Sequence, residues 1–249
     1  MQYQKNKPLA IISEHANDFI KQGFLDNGFR IILLPADERL AMPVASHADM
    51  LIFNIDKNIF CNQDYYLKNE EIFDIIQEYG YSIIPSNFTV SADYPNDVSL
   101  NQGKIGKNIF GHKGACAKSI LQYAESQGYV YHSIKQGYAK CSTLILNEKA
   151  LISADSGIIS LASTLNIKNL QIKNEINEIN LYGYDYGFIG GASTVYEKNV
   201  FFFGDISMHT QGNEISKFCN DNGFIPISFG KKKLCDIGGA IILPQLSEK

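Results

Sequence analysis

At 249 residues with 45% hydrophobic and 19% charged side chains, the chain is long enough to bury a sizeable core and too apolar for disorder. A formal net charge of −4 argues against a nucleic-acid or anionic-membrane partner, and no run approaches the ~20 apolar residues that span a bilayer. Five cysteines without a Cys-x-x-Cys pair disfavour both a disulfide framework and a zinc knuckle. The opening stretch Met1 to Pro8 lacks the apolar centre of a signal peptide, so a cytoplasmic protein is expected.

Taken in order, the chain repeats one local pattern: an amphipathic helix, a glycine followed by an aromatic residue, and a short apolar strand. After a first apolar strand at Leu9 to Ile12, the pattern appears as Gly28-Phe29 before Arg30 to Leu34. It returns as Gly80-Tyr81, Gly128-Tyr129 and Gly223-Phe224, each before a short apolar run. The glycine can stop a helix because it adopts the left-handed conformation without steric cost. A degenerate copy at Leu165 to Leu170 fills the one double gap, giving five copies at a period of roughly 48 residues.

A hairpin precedes each helix. The first runs from Asp49 to Asn54, turns, and returns through Asn58 to Phe60. The second pairs Asp97 to Asn101 with Lys107 to Phe110 across a Gly-containing turn. The third lies inside Gly137 to Ile158, turning at Asn147-Glu148-Lys149, with Asp155 and Ser156 placed to cap the following helix. The fourth spans Phe188 to Phe203 around Tyr196-Glu197-Lys198. The fifth is split: Leu234 to Leu243 must pair with Leu9 to Ile12, so the last strand closes against the first and covers both edges.

Hairpin, helix and strand repeated five times predict an α/β fold: a five-unit ββαβ propeller with pseudo-fivefold symmetry, closed by the N- and C-terminal strands. With no linker-like segment, residues 1–249 read as one domain. A Rossmann sheet does not fit, because its units carry no hairpin. Gly103 to Gly106 and Gly111 to Gly114 match neither a Walker loop nor Gly-x-Gly-x-x-Gly and read as turns.

At this point the chain resembles the guanidine-modifying enzyme superfamily, the penteins, which includes arginine and agmatine deiminases, dimethylarginine hydrolases and amidinotransferases. His47-Ala48-Asp49 looks like the family's His-x-Asp strand. Asp236-Ile237-Gly238-Gly239 looks like its acidic-Gly-Gly strand, and Lys140-Cys141-Ser142 like the strand bearing the nucleophile. The order of these units around the ring agrees with the family's, from a different starting unit, so the chain would be a circular permutation. It departs from the pattern in three places. The acidic strand has Ile237 directly before the glycines and Ala240 in place of an expected carboxylate; the unit before it has Gly190-Gly191-Ala192-Ser193 where the family has a charged strand start, leaving only Asp185 upstream; and the C-terminal strand carries no cysteine after its glycines.

The resemblance implies a cysteine-dependent hydrolase or transferase acting on a small guanidine or amidine compound, with no metal and no organic cofactor. Cys141 would be the nucleophile, His47 the general acid and base, and Asp49 a catalytic carboxylate. Asp236, Asp185 and Asp97 would bind the cationic substrate, because a guanidinium needs carboxylates to hold it. Bottom-up, His47 and Asp49 are two apart on a predicted strand and share a face. For Cys141 two orientations stay open: strict alternation from Leu144 to Asn147 turns it away from the ring centre, and a one-residue bulge turns it back. Free cysteine is also a common small core residue. The alternative is therefore a catalytically inactive pentein-fold protein that binds a small molecule or a macromolecule, as the family's ribosome anti-association factors do. The tyrosines at 182, 184 and 186 are placed to line a pocket mouth.

Overall fold

The computed structural model describes residues 7–244; the N-terminal stretch read above for a signal peptide lies almost wholly outside them. The first group of elements is β1 (Leu9–Ser13), α1 (Asp18–Asp26) and β2 (Arg30–Leu34). Then come α2 (Ala48–Leu51), β3 (Ile52–Ile55), β4 (Asn58–Asn62), α3 (Gln63–Lys68), α4 (Glu70–Glu78) and β5 (Ser82–Ser86). A third group follows: β6 (Gly103–Ile105), β7 (Asn108–Gly111), α5 (Lys118–Ser126) and β8 (Val130–Ser133). The fourth is β9 (Thr143–Asn147), β10 (Ala150–Ser153), α6 (Ser156–Thr164) and β11 (Lys168–Gln171). After a short β12 (Ile179–Asn180) the fifth comprises β13 (Ser193–Tyr196), β14 (Asn199–Phe202), α7 (Gly212–Asp221) and β15 (Ile225–Ser228). The chain then runs through β16 (Leu234–Cys235) and β17 (Ile241–Leu243).

Among the described residues the result is a mixed α/β fold with five three-stranded sheets and one two-stranded sheet, β12-β16. Each three-stranded sheet has the same plan. An antiparallel pair is followed, across a helix, by a parallel outer strand: β3-β4-β5, β6-β7-β8, β9-β10-β11 and β13-β14-β15. The remaining sheet takes its antiparallel strand from the far end of the sequence, with Leu9 opposite Leu243 and Ile11 opposite Ile241. Strand pairing does not run from sheet to sheet, so the described residues form no closed barrel.

The middle strands explain the apolar runs. β1 and β10 are buried along their whole length, and β4, β7 and β14 at all but one position, as expected for strands covered on both faces. Helices α1, α5, α6 and α7 stop as the repeat predicts. Phe29 N–H donates to Phe24 O at 3.1 Å across left-handed Gly28, and the same six-to-one bond recurs at Tyr129, Ile167 and Phe224. In the fourth group Asn166 takes the left-handed position at φ 56°, which explains why that copy carries no glycine: asparagine tolerates this conformation. A cluster of phenylalanines joins the two ends of the chain. Phe24 of α1 packs edge-on against Phe29 and Phe229, with ring centroids 5.5 and 5.1 Å apart, and Phe29 against Phe201 at 5.5 Å.

Strand starts differ consistently from the sequence reading. The segments Asp49 to Leu51, Asp97 to Asn101, Lys140 to Ser142 and Gly190 to Ala192 were expected to begin strands; each is instead a turn or a one-turn helix before a shorter strand. The second hairpin accordingly uses Gly103–Ile105 as its first strand rather than Asp97 to Asn101. These turns collect at one place and carry the polar residues.

Candidate functional site

His47 stands at the N-cap of the single-turn helix α2, and Asp49 lies within that turn. They do not share a strand face; His47 is still extended at the N-cap (φ −63°, ψ 126°) while Asp49 lies in the helical turn, and the two side chains meet at Cys141. Cys141 lies in a similar turn, closed by Ser142 N–H to Tyr138 O at 2.9 Å and Thr143 N–H to Lys140 O at 3.1 Å. Strand alternation therefore does not apply to Cys141: the turn, and not a bulge in a strand, aims its sulfur at Asp49.

The turns are bonded to one another in sequence. Asn101 Oδ1 accepts the N–H groups of Lys140 and Cys141 at 2.8 and 3.2 Å. Gly191 N–H donates to Cys141 O at 3.1 Å, and Gly191 O accepts from Ile237 and Gly239 at 3.1 and 2.8 Å. Asp49 N–H reaches Gly238 O at 3.4 Å, and Asn101 Nδ2 reaches Met50 Sδ at 3.2 Å. Gly191 lies so close to Asp236 that a Cβ there would overlap the carboxylate. That close approach is why glycine is needed in this turn.

The side chains converge. A ring nitrogen of His47, a carboxylate oxygen of Asp49 and Sγ of Cys141 lie within 4.8 Å of one another. Cys141 Sγ donates to Asp49 Oδ2 at 3.0 Å and accepts from Asn101 Nδ2 at 3.0 Å. Asp236 accepts Gly238 N–H on Oδ1 at 2.9 Å and Phe188 N–H on Oδ2 at 2.8 Å. Its Oδ1 stands 3.9 Å from His47 Nδ1, beyond hydrogen-bonding reach. His47 Nδ1 and Asp49 Oδ1 are buried without a partner. Lys140 points its ammonium to Gly190 O at 3.2 Å.

Burial sets the charge state. It pushes the Asp49 carboxyl up to about 7, helped by Asp236 and opposed by Lys140. It also pushes the Cys141 thiol well above its ordinary value, with Asp49 and Asp236 adding to the effect. His47 is held below its ordinary value by burial, against the pull of Asp236. At neutral pH the resting cluster is thus a thiol beside a half-protonated carboxyl and a neutral imidazole.

A pH signature follows. A carboxyl raised from the ordinary 3.8 to about 7 binds a proton in the folded chain that the unfolded chain lacks between those values. Its stabilisation is present in full below pH 3.8 and is lost as pH rises to about 7. The lowered His47 acts in the opposite direction, adding stability as pH rises toward 6.5. Asp49→Asn keeps the shape and removes only the first effect. Urea denaturation from pH 4 to 8 is expected to show the variant gaining on the wild type as pH rises, by on the order of a few kcal/mol.

The cluster opens into a cavity of about 230 Å³ lined by His47, Cys141 and Asp236, with Tyr138, Tyr186 and Phe188 as aromatic walls. A second, adjoining cavity of about 380 Å³ shares His47, Leu181, Tyr184, Asp185 and Asp236 with it and adds Ser13, His15 and Asn180. Asp185 is exposed at the boundary between the two, and the tyrosines at 182, 184 and 186 do line the mouths. Asp97 lines neither cavity: its Oδ2 accepts the hydroxyl of Tyr138, so it can act on a ligand only through that phenol. Asn101 and Tyr138 were not singled out from the sequence. Their repeat positions, in the turns before β6 and β9, are the signal that could have found them.

The fold matches those of several solved structures. DDAH from Pseudomonas aeruginosa, solved with citrulline, is 13% identical, with 94% of this chain and 96% of that one covered at a TM-score of 0.57. Inosamine-phosphate amidinotransferase from Streptomyces griseus is 9% identical, with 92% and 79% covered at 0.60. The N-terminal domain of a cyanobacterial arginine dihydrolase, bound to substrate, is 11% identical, with 96% and 98% covered at 0.55. At such identities the likeness establishes the pentein fold and nothing finer. No curated protein matches the chain in sequence, and among the described residues no helix is long and apolar enough to cross a membrane. The model of DUF6873, a family of unknown function, matches residues 11–241, and the chain belongs to that family.

Proposed function

We propose that the protein is a cysteine-dependent hydrolase or transferase of a small cationic guanidine or amidine compound, built on a single ring of five ββαβ units. The ring is supported by the common plan of the five sheets, the β1–β17 pairing and the turn-to-turn hydrogen bonds. The observation that carries the activity is the convergence of Cys141, His47 and Asp49, with Cys141, His47 and Asp236 lining the cavity and Asp49 buried behind the sulfur.

The resting thiol needs a cation to ionise, and the substrate supplies one. A guanidinium held by Asp236 and Asp185 places positive charge over Cys141, favouring the thiolate as the thiol proton passes by way of Asp49 to the neutral His47. The sulfur then bonds to the guanidinium carbon, and His47 protonates the departing amine. Water, or an acceptor amine in a transferase, attacks the same carbon and releases the sulfur. Hydrolysis yields a ureido compound and an amine or ammonia.

The linings narrow the substrate. Among the described residues, both cavities carry Asp185 and Asp236 and neither is lined by Arg or Lys. A carboxylate on the substrate tail would meet like charge without a partner. Arginine, agmatine and methylarginines, assayed for ammonia and ureido release, are the test. Turnover is expected, with kcat/KM for agmatine at least about tenfold above arginine. No turnover across the panel would remove the enzyme reading.

One observation favours the second reading, a non-catalytic binder: the thiol is buried and its protonated form favoured. Saturable binding of agmatine without release of ammonia would establish it.

A further inference from the structure

We infer that a third cavity, walled by all five three-stranded sheets, is a binding site for a small apolar α-amino acid. It measures about 250 Å³ and shares no lining residue with the two cavities described above. Strands β3, β6, β9, β13 and β17 each contribute to its wall, so one strand from every three-stranded sheet borders it. Its volume lies just below the range of pockets for drug-sized ligands and suits a smaller metabolite.

The wall carries two kinds of unmatched polar group. Lys104 and Lys140 bring ammonium groups to it. Lys140 uses one N–H on Gly190 O at 3.2 Å, which leaves two of its three donors over. Lys104 Nζ lies 5.6 Å from the centre of the Tyr129 ring. Among the described residues neither lysine forms a salt bridge. The same cavity is lined by Asp49 and Asn54, and the Oδ1 atoms of both are buried without a hydrogen-bond partner. Folded proteins rarely leave such atoms unmatched. Asp49 is engaged only through its other oxygen, Oδ2, which accepts from Cys141 Sγ at 3.0 Å.

This combination selects the ligand. A simple anion satisfies the lysines and leaves both acceptors empty; a simple cation does the reverse. An α-amino acid carries the two charges on adjacent groups. Its carboxylate accepts from Lys140 and Lys104, and its ammonium donates to Asp49 Oδ1 and Asn54 Oδ1. Ile145, Val195, Ile241 and Ile242 form an apolar wall for an aliphatic side chain. A charged side chain would lie against that wall unpaired.

Asp49 links this site to the thiol. An ammonium on Oδ1 makes the carboxylate a weaker base, so it accepts the Cys141 proton less readily. The amino acid is expected to lower kcat for a guanidine without entering the guanidine's cavity. That effect rests on the enzyme reading; the binding site does not.

The test is calorimetric titration of the full chain with L-valine, isovalerate and isobutylamine, the last two lacking its ammonium and its carboxylate respectively. One equivalent of L-valine is expected to bind, at least about tenfold more tightly than either analogue. Lys104→Gln should weaken it by about tenfold. Asp185→Asn, in the other cavities, should leave it unchanged, and saturating agmatine should not displace it. No binding of L-valine at millimolar concentration overturns the inference. Equal binding of an analogue, displacement by agmatine, or a loss in Asp185→Asn with none in Lys104→Gln does the same. The wild-type titrations decide even if a variant fails to fold. L-Valine bound to a protein that turns over no guanidine upholds the site and removes only the enzyme reading, with its effect on kcat.

Discussion

A Cys141→Ser variant is expected to lose turnover of guanidine compounds by about 10⁴-fold or more while still binding them. The sulfur sits between two fixed partners, Asp49 Oδ2 and Asn101 Nδ2, each at 3.0 Å. A serine hydroxyl can keep both bonds, so the turn and the cavity lining should persist. What is lost is acidity and nucleophilicity: a substrate cation can bring a thiol within reach of ionisation and leaves an alkanol far from it. Asp236 and Asp185, which hold the cation, are untouched, so binding measured by calorimetry should change little. Turnover by the serine variant within tenfold of wild type would remove Cys141 from the chemistry. It would leave His47 and Asp49 to act on a bound water instead.

The second large effect is on stability. Gly238→Ala is expected to cost about 2–5 kcal/mol, read as a lowered urea midpoint. Gly238 holds φ at 76°, and a Cβ there would overlap the Cβ and backbone of His47. Left-handed strain contributes about 1–2 kcal/mol of this and overpacking the rest. Gly28→Ala separates the two contributions, because Gly28 is left-handed at φ 84° with nothing within 4 Å of its added Cβ. That variant should cost only the strain. Equal losses in both would mean that the acidic-Gly-Gly turn yields without displacing His47, and the close packing behind the site would be misjudged.

The helix-stop-strand repeat was legible because each part is local. A left-handed residue, a buried aromatic and a short apolar strand follow one another within a few positions, and the helix-stop bond at Phe29 closes inside that span. Even the degenerate copy was placed correctly, with Asn166 in the glycine's role. The pairing of β1 with β17 was legible by elimination, since one hairpin lacked a strand at each end of the chain. What misled was the run of polar residues before each hairpin. Asp97 to Asn101 reads equally well as a strand start or as a turn, because neither state needs a periodic apolar face there.

His47, Asp49, Cys141 and Asp236 could be named as candidates from the sequence; the way they come together could not. Two residues apart on a strand share a face, but His47 is an extended N-cap and Asp49 lies in the helical turn after it, so the pair exists for a reason other than strand alternation. Only the tertiary structure decides which face of each turn looks inward, because that depends on bonds between residues far apart in sequence, such as Asn101 to Cys141 and Gly191 to Ile237. It also decides that Asp97 stands behind Tyr138, and that His47 Nδ1 and Asp49 Oδ1 are left without partners. By itself the sequence determined the repeated units and their order, through short-range sterics and periodicity. The tertiary structure decided how the candidate site is arranged, because burial and unsatisfied polar atoms exist only once turns far apart in the sequence meet.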